Sequence, residues 1–242
     1  MQPNDKLELN YSKVRAYRSC PVLYEHIYVF RRRQPLTPPA SLGISIHRAL
    51  DAFYGNPGET GVEQLLECYD ANWLGAGYSG PIEQLEYHHK GREMLRRFWM
   101  AERDRKSAVD CAERDFEFDY KQWKIRGTVD RVDLLPDGTW EVMDYKTGPE
   151  EITESDVKES IQLGIYAIGA QRAWNTNPAV LSVWCLSAGK KVSVPRDETR
   201  DAEILKIFED TGNEILRGVY KPNHTHCPNC TMRANCRQAA RP

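Results

Sequence analysis

The chain has 242 residues, 40% of them hydrophobic and 28% charged, with 33 basic and 35 acidic side chains that leave a formal net charge of −2. That is enough apolar material for one substantial core, and nothing in it requires a second domain, so residues 1–242 read as a single domain. The balance excludes a globally basic surface, no stretch approaches the roughly 18 apolar residues of a membrane span, and Met1-Gln2-Pro3-Asn4-Asp5 lacks the apolar centre of a signal peptide. A cytoplasmic protein is expected, in which seven cysteines argue against disulfides and for metal ligation or burial. Any affinity for a polyanion must be local, and Arg31-Arg32-Arg33, Arg96-Arg97 and Lys190-Lys191 are the candidate patches.

In chain order, Tyr11 to Phe30 reads as two short helical segments interrupted near Cys20-Pro21, because proline is tolerated in a first helical turn and not in the interior. Gly43 to Tyr54 is expected to be a helix with Ile46, Leu50 and Phe53 on one side. Breaks at Pro57 to Gly61 and Gly75 to Pro81 leave helices from about Val62 to Leu74 and Ile82 to Lys106, which make up a helical insertion before the sheet. Strands are expected over Ala108 to Tyr120, where Phe116, Phe118 and Tyr120 alternate, and over Trp123 to Leu135 and Thr139 to Lys146. Thr153 to Trp174 reads as one helix capped by Ser155, and Asn175-Thr176-Asn177-Pro178 ends it. Ala179 to Leu186 and Lys190 to Val194 form a further strand pair, and Asp197 to Leu216 is a last helix before a loop rich in cysteine. Cys68, Cys111 and Cys185 lie in apolar or amphipathic stretches and read as core residues.

The densest chemistry lies on two neighbouring runs, Gly127-Thr128-Val129-Asp130-Arg131-Val132-Asp133 and Val142-Met143-Asp144-Tyr145-Lys146-Thr147-Gly148. Pro136-Asp137-Gly138 between them is a turn signal, so the runs should pair antiparallel. With those three residues as the loop, Asp130 lies opposite Asp144, at roughly 4.5–5.5 Å between Cβ atoms, close enough for two carboxylates to hold one divalent cation. Lys146 returns to the same face two residues on. Such alternation often means only a solvated sheet face. Here Val132, Leu134, Trp140 and Val142 share the parity of the two aspartates, so the face is covered, and buried carboxylates need a partner or a metal.

Asp130 followed by Asp144-Tyr145-Lys146 resembles the PD-(D/E)XK nuclease signature in the form of the RecB-type nuclease domains, whose first motif reads Gly-x-x-Asp-Arg-x-Asp. Gly43-Ile44-Ser45-Ile46-His47 is similar to that subfamily's Gly-x-x-x-His helix, and Gln162-Leu163-Gly164-Ile165-Tyr166 to its Gln-x-x-x-Tyr motif. Cys20 with Cys227, Cys230 and Cys236 resembles the four cysteines of its iron–sulfur branch, which includes the AddB nuclease domain and the CRISPR-associated Cas-four exonucleases. The resemblance implies an α/β fold with a restriction-endonuclease-like core, a mixed β-sheet flanked by helices. It also implies a DNA exonuclease acting on single strands or DNA ends in recombination or repair, with Mg²⁺ or Mn²⁺ held by His47, Asp130, Asp144 and the Tyr145 carbonyl. Lys146 would act on the attacking water and the phosphate, Gln162 and Tyr166 would position the strand, and cleavage would leave a 5′-phosphate. Glu113 reads as a surface salt bridge or a distant support for the cation.

The spacing of Cys227, Cys230 and Cys236 is a metal signal whose default is zinc, and His224 and His226 offer alternative nitrogen ligands. The remote Cys20, within Tyr17-Arg18-Ser19-Cys20-Pro21, shifts the expectation to a 4Fe–4S cluster that fastens the two chain ends, with zinc as the alternative. No run resembles a P-loop, so a helicase partner would be a separate chain. Two other roles share these motifs: a CRISPR adaptation nuclease, and a DNA-binding subunit of a helicase complex.

Overall fold

A computed structural model describes residues 7–55 and 61–240; most of the break expected at Pro57 to Gly61, and the Met1 to Asp5 segment, lie outside them. Among the described residues six strands form one mixed sheet in the order β1 (Leu7–Leu9), β3 (Trp123–Leu134), β4 (Trp140–Lys146), β5 (Pro178–Cys185) and β6 (Lys190–Pro195), with β2 (Ala108–Tyr120) also paired to β3, and helices flank it. No described helix is long and apolar enough to cross a membrane. By its internal contacts the chain divides into two compact units, one of Met1–Pro35, Glu117–Gly127 and Thr199–Pro242, the other of Leu36–Phe116 and Thr128–Glu198.

In the first unit β1 (Leu7–Leu9) runs parallel to the start of β3 (Trp123–Leu134). Helix α1 (Tyr11–Ser19) begins at Asn10, whose side chain accepts the Lys13 N–H at 2.8 Å, and ends where Cys20 turns extended. Helix α2 (Pro21–Tyr24) uses Pro21 in its first turn and passes into a π-helical turn, Glu25–Val29. The interruption expected near Cys20-Pro21 is therefore present. Helix α8 (Asp201–Leu216) and the 3₁₀ turns His224–Asn229 and Arg233–Asn235 complete the unit. The Tyr17 hydroxyl donates to the Val219 carbonyl at 2.9 Å, and the Tyr17, Tyr24 and Tyr220 rings pack together.

The second unit holds α3 (Pro38–Tyr54), α4 (Val62–Ala71) and α5 (Pro81–Glu102) before the sheet. Helix α3 starts five residues before the expected Gly43, because Pro38 and Pro39 suit a first turn whose N–H groups lack intrahelical partners. Ile46, Leu50 and Phe53 are buried with Leu65, Leu66, Met94, Leu95 and Phe98, against Met143 and Tyr145 of β4 (Trp140–Lys146) and Trp184 of β5 (Pro178–Cys185). Cys68 and Cys185 are buried, whereas Cys111 on β2 (Ala108–Tyr120) is only half-buried. The single helix expected over Thr153 to Trp174 is two, α6 (Glu154–Lys158) and α7 (Ile161–Trp174). Thr153 and Asp156 form a reciprocal capping box and Ser160 caps α7, while the Ser155 hydroxyl donates to Glu159 instead of capping. Strand β6 (Lys190–Pro195) pairs antiparallel with β5, and β5 runs parallel to β4, as the α6–α7 crossover requires. A side chain at Gly169 of α7 would meet the Phe116 ring at 2.4 Å, so this close approach of helix to strand demands glycine.

The β3–β4 hairpin sets two faces. Arg131 pairs with Met143, Val132 with Val142 and Asp133 with Glu141, and the Leu135 N–H donates to Thr139 O at 2.8 Å around the three-residue loop. Gly138 takes φ +83°, the left-handed conformation such a loop needs. Arg131 and Asp133 thus share one face, both wholly buried. The Arg131 guanidinium grips Asp133 through Nε at 2.6 Å and Nη2 at 2.5 Å, and donates through Nη1 to Glu102 at 2.7 Å and the Tyr54 hydroxyl at 3.0 Å. Trp184 Nε1 donates to the other Glu102 oxygen at 2.9 Å, and the Ser107 hydroxyl adds a second donor to Asp133 Oδ2 at 2.7 Å.

Arg131→Met should leave Asp133 and Glu102 as uncompensated buried charges and cost about 3–5 kcal/mol, read as a shift in the urea midpoint. Arg131→Lys should recover only part of this, since an ammonium cannot reproduce the planar fork. A midpoint unchanged in Arg131→Met would show that the network carries no stability.

Candidate active site

On the opposite hairpin face, Asp130 and Asp144 are 7% and 2% exposed. Continuing the observed register one step beyond Arg131 and Met143 brings them opposite each other. The Tyr145 N–H donates to Asp130 Oδ2 at 2.8 Å, while Lys146 Nζ lies 2.7 Å from Asp144 Oδ2. Lys146 also donates to Gln162 Oε1 at 2.9 Å, and Gln162 Nε2 donates to the Tyr166 hydroxyl at 2.9 Å. An ammonium can only donate, so it fixes the orientation of the Gln162 amide and leaves the Tyr166 proton free to point onward. Gln162 and Tyr166, four residues apart on α7, share a helical face.

His47 reaches this cluster from α3. Its Nδ1 lies 3.6 Å from Asp130 and 3.4 Å from Glu113, and its Nε2 lies 3.2 Å from the Tyr145 carbonyl. Glu113, read as a surface salt bridge or a distant support for the cation, joins His47 and Asp130 in a group whose ligand atoms lie within 4.8 Å of one another. Its backbone explains why strand alternation misplaces it. Glu113 has φ +44°, rare for a side-chain-bearing residue, and this local irregularity breaks the parity counted back from Phe116 and Phe118.

The electrostatics follow from burial beside like charges. Burial, then the facing Asp144, raise the Asp130 carboxyl against the counteracting His47 and the Tyr145 N–H, pushing it up to about 7. Burial disfavours the His47 imidazolium, but Glu113, Asp130 and Asp144 outweigh it and push its pKa up to about 9. Burial and the two aspartates also push Tyr166 up, so it remains a neutral hydroxyl. One imidazole and the carboxylates of Glu113 and Asp130, beside Asp144, make a mixed nitrogen and oxygen donor set suited to a divalent cation.

The sequence profile of the PD-(D/E)XK nuclease superfamily matches residues 8–237. The chain belongs to that superfamily. The solved structure of a candidate exonuclease from Eubacterium rectale is similar to this nuclease with a TM-score of 0.60 and 13% identity, over 98% of this chain and 91% of the other. At that identity the likeness speaks for the fold alone. The alignment with the structure of SSO0001 covers 98% of this chain and 89% of the other at 13% identity and a TM-score of 0.48. No curated protein matches the nuclease in sequence.

In the nuclease's first unit, Cys20, Cys227, Cys230 and Cys236 line one cavity together with Val22, His26 and His226. His224 is not among its lining residues. The Asn223 N–H points at Cys20 Sγ at 3.4 Å, and the Asn223 side chain donates to Ser19 O at 2.9 Å. Burial raises the Cys230 thiol, and the neighbouring Cys20, Cys236 and Cys227 raise it further. Of the basic patches, Arg96 is taken up by Glu93 and Lys191 by the buried Glu141, whereas Arg31, Arg32 and Arg33 are exposed.

In the metal-free protein Asp130 and His47 act with one sign on stability. Asp130 ionises less readily folded than at its ordinary 3.8, so stability falls as pH rises from about 4 through 7. His47 contributes stability that is complete below 6.5 and lost as pH rises through about 9. In EDTA, Asp130→Asn should flatten the acid part of this decline in Tm and His47→Gln the alkaline part, measured by thermal scans across pH. An unaltered profile in both variants would refute the assignment.

Proposed function

We propose that this nuclease is a divalent-metal-dependent DNA exonuclease whose chain ends are clasped by a 4Fe–4S cluster. The observation that carries the nuclease chemistry is the buried, facing pair Asp130 and Asp144 with Lys146 on the second carboxylate. His47, Asp130, Asp144 and the Tyr145 carbonyl would hold the cation, with Glu113 beside them; the imidazole favours Mn²⁺ more than an all-oxygen site would. When bound, the cation supplies Lewis acidity at the scissile phosphate.

This chain's own residues do the rest. Lys146, steered by Gln162, places its ammonium where negative charge builds on the phosphoryl oxygens, a preorganised donor of the kind commonly worth about 10²–10³ in rate. Tyr166, kept neutral, offers its hydroxyl proton to the DNA backbone, and the low exposure of Asp130 and Asp144 keeps bulk water from screening the charges. Exonuclease action is the reading favoured by the description given to the Eubacterium rectale protein.

Cleavage of end-labelled single- and double-stranded DNA with Mn²⁺ or Mg²⁺, and none in EDTA, is the expected result. Asp144→Asn should abolish cleavage while DNA binding stays equal or tightens, because one negative charge facing the phosphates is gone. Cleavage that persists in EDTA or in Asp144→Asn would sink the reading.

The cluster reading rests on four cysteines lining one cavity and on the N–H directed at Cys20 Sγ, a contact suited to a thiolate. By analogy with cross-link entropy, joining Cys20 to the C-terminal three would stabilise the chain by something on the order of 5 kcal/mol. Anaerobically purified protein should be brown, and Cys20→Ala should bleach it and lower its stability, with residual cleavage by the folded fraction. A colourless protein with stoichiometric zinc would overturn the cluster and leave the nuclease site untouched.

A further inference from the structure

His26 is 7% exposed and lines the cysteine cavity, yet it takes no part in the nuclease site. It sits in the π-helical turn Glu25–Val29, closed by the Phe30 N–H on Glu25 O at 2.9 Å; such turns are rare and concentrate at functional positions. Arg32 clamps it twice. The Arg32 backbone N–H donates to His26 O at 2.9 Å, and its Nη1 lies 3.3 Å from His26 Nδ1, with the guanidinium over the Phe30 ring. A guanidinium has only donors, so Nδ1 must present its lone pair and the imidazole proton sits on Nε2. The tautomer is therefore set from outside the cavity, as the outer partner of a ligating group commonly sets it.

The same cavity already has one N–H aimed at sulfur, from Asn223 to Cys20 at 3.4 Å. We propose that His26 is a positioning residue whose Nε2–H donates a second hydrogen bond to a cysteine sulfur of the cluster and thereby sets its reduction potential. This deepens the cluster reading above and rests on it. A donor on a ligating sulfur draws off electron density, weakens the iron–sulfur(cysteine) bond and stabilises the more negative, one-electron-reduced state. Arg32 keeps the proton on Nε2 of a ring that lines the cysteine cavity, and the apolar Val22 and Met232 of the same lining limit competition from water.

The test uses the full chain, purified anaerobically as wild type, His26→Leu and His26→Gln. Iron and sulfide content, resonance Raman spectra of the oxidised cluster and potentiometric titration followed by EPR are compared. His26→Leu should keep its iron, raise the iron–sulfur(cysteine) stretching frequency and make reduction about tenfold less favourable, about 59 mV more negative for a one-electron couple. His26→Gln, which restores an N–H donor, should lie close to wild type. Full iron content with unchanged spectrum and potential in His26→Leu would overturn this proposal and leave the cluster standing. Loss of iron from both variants would make His26 a ligand and overturn it too. Wild-type protein that holds zinc and no iron would sink the cluster and this proposal together.

Discussion

Everything at the active site depends on the register of one hairpin. The loop Pro136-Asp137-Gly138 is closed by Gly138 in the left-handed region and by Asp137 Oδ1, which accepts the Thr139 N–H at 3.0 Å. With that loop fixed, β3 sends Asp130 and Val132 to one side and Arg131 and Asp133 to the other. Each side buries charge that only its own partners can compensate. A slip of one residue would put Arg131 beside Glu113 and His47 and send Asp130 into the apolar packing of Met143 and Tyr145. Both errors strand buried charge, so the register is defended from both faces.

The two faces share a logic but answer different needs. Around Arg131 every carboxylate oxygen of Glu102 and Asp133 has a donor, which suits a group that must not move. Around Asp130 the carboxylates of Glu113, Asp130 and Asp144 face only the His47 imidazolium and Lys146 as counter-charges. Carboxylates so placed favour additional positive charge, and the proton they hold on His47 meets part of that need. Such an arrangement trades native stability for readiness, as functional sites commonly do.

The register was legible in the sequence because turn chemistry and strand parity are both local: Pro-Asp-Gly fixes the loop, and Val132 and Val142 are buried on the aspartates' side as their parity suggests, although Leu134 is exposed and the opposite side, with Arg131 and Asp133, is buried as well. The α3 face and most strand bounds were readable for the same reason. Glu113 was legible only as either a surface ion pair or a support for the cation, because a single residue of positive φ inverts the parity that alternation relies on, and nothing in Ala112-Glu113-Arg114 signals it. The division into α6 and α7 was lost because Ser155 and Ser160 look alike as caps, and only the Thr153–Asp156 reciprocity and the packing of α7 choose between them. Glu102 and Arg131 are 29 positions apart, and Trp184 and Glu102 82, distances over which no periodicity reaches.

The division of the chain into units has a consequence for its birth on the ribosome. The unit that carries the nuclease residues is finished when Glu198 has emerged, so its sheet can close while synthesis continues. The other unit draws on the first residues, a middle segment and the last, and Asn223 meets Cys20 across 203 positions. Its opening helices must therefore wait until Asn223 has been made. Cys20, buried in the finished fold, spends that interval as an uncovered thiol in a half-made protein.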